Sequence, residues 1–262
     1  MIRRLVAALI LFAAASFNAQ ALEYTDVYFN PDEPGWGLFL VQSETFQFVA
    51  FFIYGPDGKP IWYTAELSFD GTDTYAGTLY ATTGTYFASP WDPSKSTADA
   101  AGTASFKPID LYHATLSYGL IGGPTVTKTI RRQTLLPYQM AGNYSGSTAG
   151  AITGCNDGTG NDPNVRGRYN LVVTQVGDES VAMTVTFVDQ ANAGIVCTLG
   201  GSLTHLGRLY RVADGLLKCS DDDASRPTVI ESLHPTGQGI EFRVVSDLGG
   251  GCKLNGRFSA VK

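Results

Sequence analysis

Residues 30–67, NPDEPGWGLFLVQSETFQFVAFFIYGPDGKPIWYTAEL, constrain the fold more than any other part of the chain. Phe46 to Tyr54 is too rich in Phe, Val and Ile for a solvated loop and too short for a membrane-spanning helix. As a strand it places Phe46, Phe48, Ala50, Phe52 and Tyr54 on one face and Val49, Phe51 and Ile53 on the other. A strand apolar on both faces is covered on both sides, or forms the wall of a closed barrel with a filled interior. Gly55-Pro56-Asp57-Gly58-Lys59-Pro60 is a turn, because Pro presets φ while Asp and Gly tolerate the bend and positive φ. The chain then returns as a strand, with Ile61, Tyr63, Ala65 and Leu67 on one face and Trp62, Thr64 and Glu66 on the other.

The N-terminus has a different character. Arg3-Arg4, an apolar run from Leu5 to Phe17 and Ala19-Gln20-Ala21 have the order of a secretory signal peptide, so residues 1–21 are expected to be removed and the mature chain to begin at Leu22. No Cys lies near that cleavage site, and no other segment has the apolar length of a membrane helix. The expected location is a Gram-negative periplasm or the exterior. Losing the two arginines moves the formal net charge from −6 to −8. An acidic chain without a basic cluster argues against nucleic acid and against anionic membrane surfaces as partners.

Few charges, abundant Gly, Thr, Ser and Tyr, and no long 3.6-residue period define an all-β chain. Strands are expected at 26–30, 37–42, 45–54, 60–67, 75–82, weakly at 85–88, then 102–107, 111–118 and 125–133. A second series follows at 142–146, 167–175, 181–188, 195–200, 206–212, 216–219, 228–233, 239–245 and 252–261. Leu136-Pro137 marks the boundary, giving an aromatic-rich unit over 22–137 and a cysteine-containing unit over 138–262. The halves align in order: GWGLFLVQ-SET-FQFVAFFIY with GRYNLVVTQ-VGDE-SVAMTVTFV, IWYTAEL with IVCTLGG, and AGTLYATTG with LGRLYRVADG. The pattern predicts a tandem repeat of an antiparallel up-and-down β-barrel, calycin-like in topology, with β-sandwiches as the alternative. An outer-membrane barrel fits less well, because the strands are short and lack a clean apolar outer band.

Cys155, Cys197, Cys219 and Cys252 all fall in the second unit. An even number in an exported chain implies two disulfides. A nine-strand meander would put Cys155 and Cys197 at one end and Cys219 and Cys252 at the other, so those are the expected pairs among three possible connectivities.

Asn30-Pro31-x-Glu33-x-Gly35-Trp36-Gly37, Phe48-Val49-Ala50-x-Phe52-x-Tyr54 and Asp57-Gly58-Lys59-Pro60-Ile61-Trp62-Tyr63 resemble a β-domain of exported proteobacterial proteins. The second half is similar to a segment that accompanies it, through Cys197 to Gly201, a Gly-Arg pair and a late Gly-Cys. That resemblance implies architecture and export, and no chemistry. Lipocalin-like and avidin-like barrels are similar in topology only, which carries no ligand.

Trp36, Trp62 and Trp91 fall in the first unit together with nine of the thirteen Tyr. Aromatics with a polar tip line many glycan and small-ligand pockets, so Trp36, Tyr54, Trp62, Tyr63, Glu66 and Trp91 are the candidate binding residues; ordinary barrel packing would use the same residue types. His113, His205 and His234 show no metal-site spacing. Asn156 to Asp162 and Asp221 to Asp223 offer oxygen ligands, but read as solvated turns. Glu33, Asp57 and Glu66 could supply paired carboxylates for glycoside hydrolysis. No G-x-S-x-G and no phosphate loop is present, and neither a cofactor nor a metal is implied. The expected function is a non-enzymatic envelope binding or interaction protein with a small-molecule, glycan or envelope-protein partner. The alternatives are a hydrolase of envelope or extracellular polymer, and a structural envelope component.

Overall fold

The computed structural model describes residues 22–190 and 192–262; the expected signal peptide lies outside them. The first eight strands are β1 (Asp26–Phe29), β2 (Gly37–Ser43), β3 (Phe46–Tyr54), β4 (Pro60–Phe69), β5 (Tyr75–Thr83), β6 (Thr97–Pro108), β7 (His113–Leu120) and β8 (Thr125–Arg132). The next eight are β9 (Gly142–Thr153), β10 (Asp162–Val176), β11 (Ser180–Phe187), β12 (Val196–Leu206), β13 (Leu209–Cys219), β14 (Arg226–Pro235), β15 (Gly239–Gly249) and β16 (Cys252–Val261). Each series is an antiparallel meander whose last strand returns to its first, so the chain forms two closed up-and-down barrels in tandem. The sandwich alternative falls, because each series makes one continuous sheet.

Alternation decides inside from outside. Leu38, Leu40, Val49, Phe51, Ala65 and Leu67 point into the first barrel and are fully buried. Leu171, Val173, Met183, Val185, Phe242 and Val244 do the same in the second. An apolar interior is the reverse of a membrane barrel, which is polar inside and apolar outside. Among the described residues no helix is long and apolar enough to cross a membrane.

The repeat is visible in one hydrogen-bonded lock that occurs in both barrels. Gln42 at the end of β2 accepts from the Tyr24 amide (3.3 Å) and donates to the carbonyls of Leu22 (2.9 Å) and Glu44 (3.2 Å). Gln175 near the end of β10 accepts from the Met140 amide (2.9 Å) and donates to those of Tyr138 (3.3 Å) and Gly177 (2.7 Å). Each lock fixes the segment leading into the barrel's first strand. On that strand a buried tyrosine, Tyr28 or Tyr144, donates to the carbonyl four residues back, at 2.8 Å in both cases. The first residue of each hairpin turn is left-handed, Glu44 at φ 52° and Gly177 at φ 51°.

Several expected details change. Residues 85–88 are not a strand: the Thr85 hydroxyl donates to the Asp92 carbonyl and accepts from its amide (both 2.9 Å), closing a loop. The strands expected at 206–212 and 216–219 belong to a single β13. Asp214, in the gap between those two expected strands, sits at a register irregularity and accepts from the amide and hydroxyl of Ser202 (2.9 and 2.6 Å). The fifth-strand alignment shifts with it. Leu79 faces Ala65, and Leu217 faces Leu199, so Leu79 corresponds to Leu217 and not to Leu209.

The disulfides are Cys155–Cys252 and Cys197–Cys219, which corrects both expected pairings. Cys197 and Cys219 are directly opposed on neighbouring strands. Cys155 follows β9, and Cys252 begins β16, which pairs with β9 when the barrel closes. With eight strands rather than nine, all four cysteines lie at the same barrel end.

The barrels meet through the opposite end. Arg132 is wholly buried and donates to Asp26 Oδ2 (2.8 Å) and to the carbonyls of Glu23, Thr25 and Leu111. The same Asp26 oxygen accepts the backbone amide of Arg208 from the β12–β13 turn (3.1 Å). The Thr134 hydroxyl donates to the His205 carbonyl (3.0 Å), and the Tyr112 hydroxyl accepts the Ser232 amide (3.1 Å). Gly207 has φ +69°, and a Cβ there would collide with the Asp26 carboxylate.

Candidate functional site

Strand direction sorts the candidate residues into three places. The β1–β2, β3–β4, β5–β6 and β7–β8 connections share the end of the first barrel that faces away from the second. There Trp36 and Tyr63 turn inward and pack on the core beside Ile53 and Tyr118. They plug the barrel mouth. The Trp36 indole donates to Glu33 Oε2 (3.3 Å), and Lys128 Nζ lies 2.6 and 2.7 Å from the two Glu33 oxygens. The Lys128 hydrogen bond holds the Glu33 carboxyl below its ordinary range. Burial pushes the Tyr118 hydroxyl up.

Tyr54, Trp62 and Glu66 lie on the outer wall. With them are Phe39 and Val41 from β2 and Phe46 and Phe48 from β3, all exposed. Register makes this one surface: Val41 faces Phe48, which faces Glu66, while Phe52 faces Trp62. Phe39 and Phe52 pack with tilted rings across β2 and β3, with ring centres 5.3 Å apart. Tyr54 and Trp62 expose 57% and 60% of their surface. Trp91 lies apart in the β5–β6 loop, 69% exposed, beside the short 3₁₀ turn Pro93–Lys95. Phe87 in the same loop is completely exposed.

The equivalent wall of the second barrel is different. Anchoring the strands on Gln42 and Gln175, Phe39 corresponds to Val172, Val41 to Thr174, Phe46 to Ser180, Phe48 to Ala182 and Trp62 to Val196. Glu66 corresponds to Gly200. Small side chains there leave a shallow groove of about 460 Å³ where the first barrel carries rings.

The expected hydrolytic carboxylates are not brought together. Glu66 stands on the wall opposite Phe48 and Thr78. Glu33 is tied to Lys128 at the mouth. Asp57 caps the Lys59 amide in the β3–β4 turn (3.1 Å). The acidic loops serve as caps: Asp157 accepts from Thr159, and Asp222 accepts from Ala224 and pairs with Arg226. Among the described residues no group of three or more His, Cys, Asp or Glu could hold a metal ion. His113 is bonded to Asp110, and His205 stacks on Tyr210 with ring centres 4.1 Å apart. Phe39, Val41, Phe46 and Phe48 were missed as surface residues. Their alternation was plain, but nothing local says which face of a doubly apolar strand turns outward.

No family model, no curated protein and no solved structure matches this chain.

Proposed function

We propose that the protein is a non-enzymatic interaction protein of the bacterial envelope, a member of the exported β-domain group that its first half resembles, and that it binds a protein partner through the aromatic wall of the first barrel. The observation that carries this reading is the difference between the two barrels. Phe39, Val41, Phe46, Phe48 and Trp62 stand exposed on three consecutive strands where the second barrel carries Val172, Thr174, Ser180, Ala182 and Val196. A contiguous exposed apolar patch marks an interaction surface, and aromatic residues are enriched at protein interfaces. Sugars need donors and acceptors beside the stacking rings, whereas this wall is dominated by Phe and Val and offers few polar groups: the Trp62 indole, the Tyr54, Thr64 and Ser68 hydroxyls and the Glu66 carboxylate. That chemistry favours a protein over a glycan or a small molecule. Two disulfides and the signal-like residues 1–21 support an oxidising compartment as the place of action.

The test places a photo-crosslinking residue at Trp62 in cells and identifies what it captures in the envelope, with Lys218 on the second barrel as the control position. The captured protein is then purified and titrated against the mature chain. Binding that weakens at least tenfold in a Phe48→Ser/Trp62→Ser variant supports the reading. Capture equal to that at Lys218, or an affinity unchanged in the variant, overturns it. A crosslink to a second copy of the chain would make the wall a self-association surface instead.

A further inference from the structure

A cleft of about 720 Å³ opens where the barrels meet, away from the aromatic wall. The first barrel contributes Leu22, Glu23 and the β6–β7 turn Asp110–Tyr112. The second contributes Arg208 from the β12–β13 turn and the outer wall of β13 to β16, which carries Arg211, Arg243 and Arg257. The four arginines and His234 share the cleft with four carboxylates, Glu23, Asp110, Glu231 and Glu241, so what distinguishes it is the pairing of its guanidinium groups and not its net charge. The corresponding wall of the first barrel, on β6 to β8, is less charged: Ser117 and Thr127 stand where the cleft has Arg243 and Arg257, Ser105 and Thr115 where it has Glu231 and Glu241, and Lys107 where it has His234.

Two of the arginines have unused hydrogen-bonding capacity. Arg243 is engaged by Glu231 (3.1 Å) and Asn255 (2.8 Å). Arg208 lies at a loose 3.7 Å from Glu23, and its Nε–H is buried with no acceptor among the described residues. The Arg211 Nε–H is in the same condition. A buried donor left unpaired is costly, so two in one cleft call for an acceptor. A guanidinium fork matches carboxylate and phosphate oxygens. Leu22, Leu111, Leu209 and the edge of Phe258 supply apolar surface beside those donors.

The backbone is also distorted here. Ser232 is one of only two described non-glycine residues with positive φ, at 48°, and it sits at the β14 irregularity between Glu231 and His234. Its amide is held by Tyr112 from the other barrel. Strained residues and bulges concentrate at functional sites.

We propose that the inter-barrel cleft binds a small amphiphilic anion, its carboxylate or phosphate held by Arg208 and Arg211 and its hydrocarbon part laid along Leu22, Leu111 and Leu209. The volume suits one such molecule. This site is independent of the aromatic wall and of its partner.

Calorimetric titration of the mature protein with octyl phosphate, octanoate, inorganic phosphate and octanol tests the site. One or both amphiphilic anions bind, and the stronger identifies the head group. Inorganic phosphate binds at least tenfold more weakly, and octanol does not bind. Arg208→Gln/Arg211→Gln weakens the preferred anion at least tenfold, whereas Lys218→Gln, on the outer wall of β13 beyond the cleft, changes nothing. Should the double variant fail to fold, Ser259→Trp fills the cleft without touching either guanidinium and abolishes binding equally. No heat from either amphiphilic anion, octanol binding as tightly as octanoate, or binding that survives both variants overturns the proposal.

Discussion

In the first barrel the seam between β1 and β8 is made by two residue pairs, Tyr28 with Arg132 and Phe29 with Arg131. Beyond it the β1–β2 turn is held to β8 by the Glu33–Lys128 ion pair. In the second barrel the matching seam, β9 against β16, runs through nine pairs from Ser145–Val261 to Thr153–Lys253 and ends in the Cys155–Cys252 disulfide. One closure is short and electrostatic, the other long and covalent. A covalent link acts mainly by restricting the unfolded chain, whereas a solvent-exposed ion pair contributes little in either state. The first barrel is therefore the one whose seam opens locally, and its unpaired strand edge is the one another chain could find.

The largest break in this comparison comes from the disulfides. A Cys155→Ser/Cys252→Ser variant should lose roughly 4–5 kcal/mol, because the bond spans 97 residues, and Cys197→Ser/Cys219→Ser roughly 3 kcal/mol for a separation of 22. Urea unfolding gives both values, and the reverse order would mean that loop closure is not what the seam disulfide supplies. Arg132→Met should cost about 3–5 kcal/mol by leaving Asp26 buried without its counter-ion, with most of that recovered in the Asp26→Leu/Arg132→Met double variant. Equal losses in the single and the double would show that the carboxylate is not left stranded.

Exchanging the two hairpin residues gives a smaller effect. Glu44→Gly should stabilise by about 0.5 kcal/mol, since a left-handed side chain is relieved at some cost in unfolded-state entropy, and Gly177→Glu should destabilise by about 1 kcal/mol. Thermal unfolding of the pair reads both signs. The smallest effect is on the exposed pair at the first seam. Lys128 lowers the Glu33 pKa from its ordinary 4.5, so the pair supports the fold above that value and its support is lost as pH falls through the lowered folded value. In Glu33→Gln, β1 amides should exchange faster than in the parent at pH 7, and the two proteins should converge once pH falls below the lowered value. β9 amides should show no difference at either pH.

The alternation in β3 and β4 carried the barrel, because a strand apolar on both faces needs a filled interior on one of them. Eight-strand closure was harder to read. A bulge such as the one at Asp214 looks like a turn when only residue types are visible, and that one extra strand reversed the parity that places Cys219 and Cys252. Side-chain facing was legible in relative terms: Trp62 and Tyr63 had to part, but only closure shows that Tyr63 plugs the mouth while Trp62 meets solvent. The cleft was illegible. Arg208, Arg211, Ser232 and Tyr112 come together across more than a hundred residues, through contacts between barrels that no local pattern encodes.

The glutamine locks bear on how such a chain could arise. Each barrel carries within itself the amide that sets the position of its own first strand, so register does not depend on the segment before it. A copied stretch of gene encoding one unit would therefore fold correctly even if the splice between copies were a few codons too long or too short. The contacts that join the barrels, Asp26 to Arg208 and Tyr112 to Ser232, could then be added afterwards, one substitution at a time.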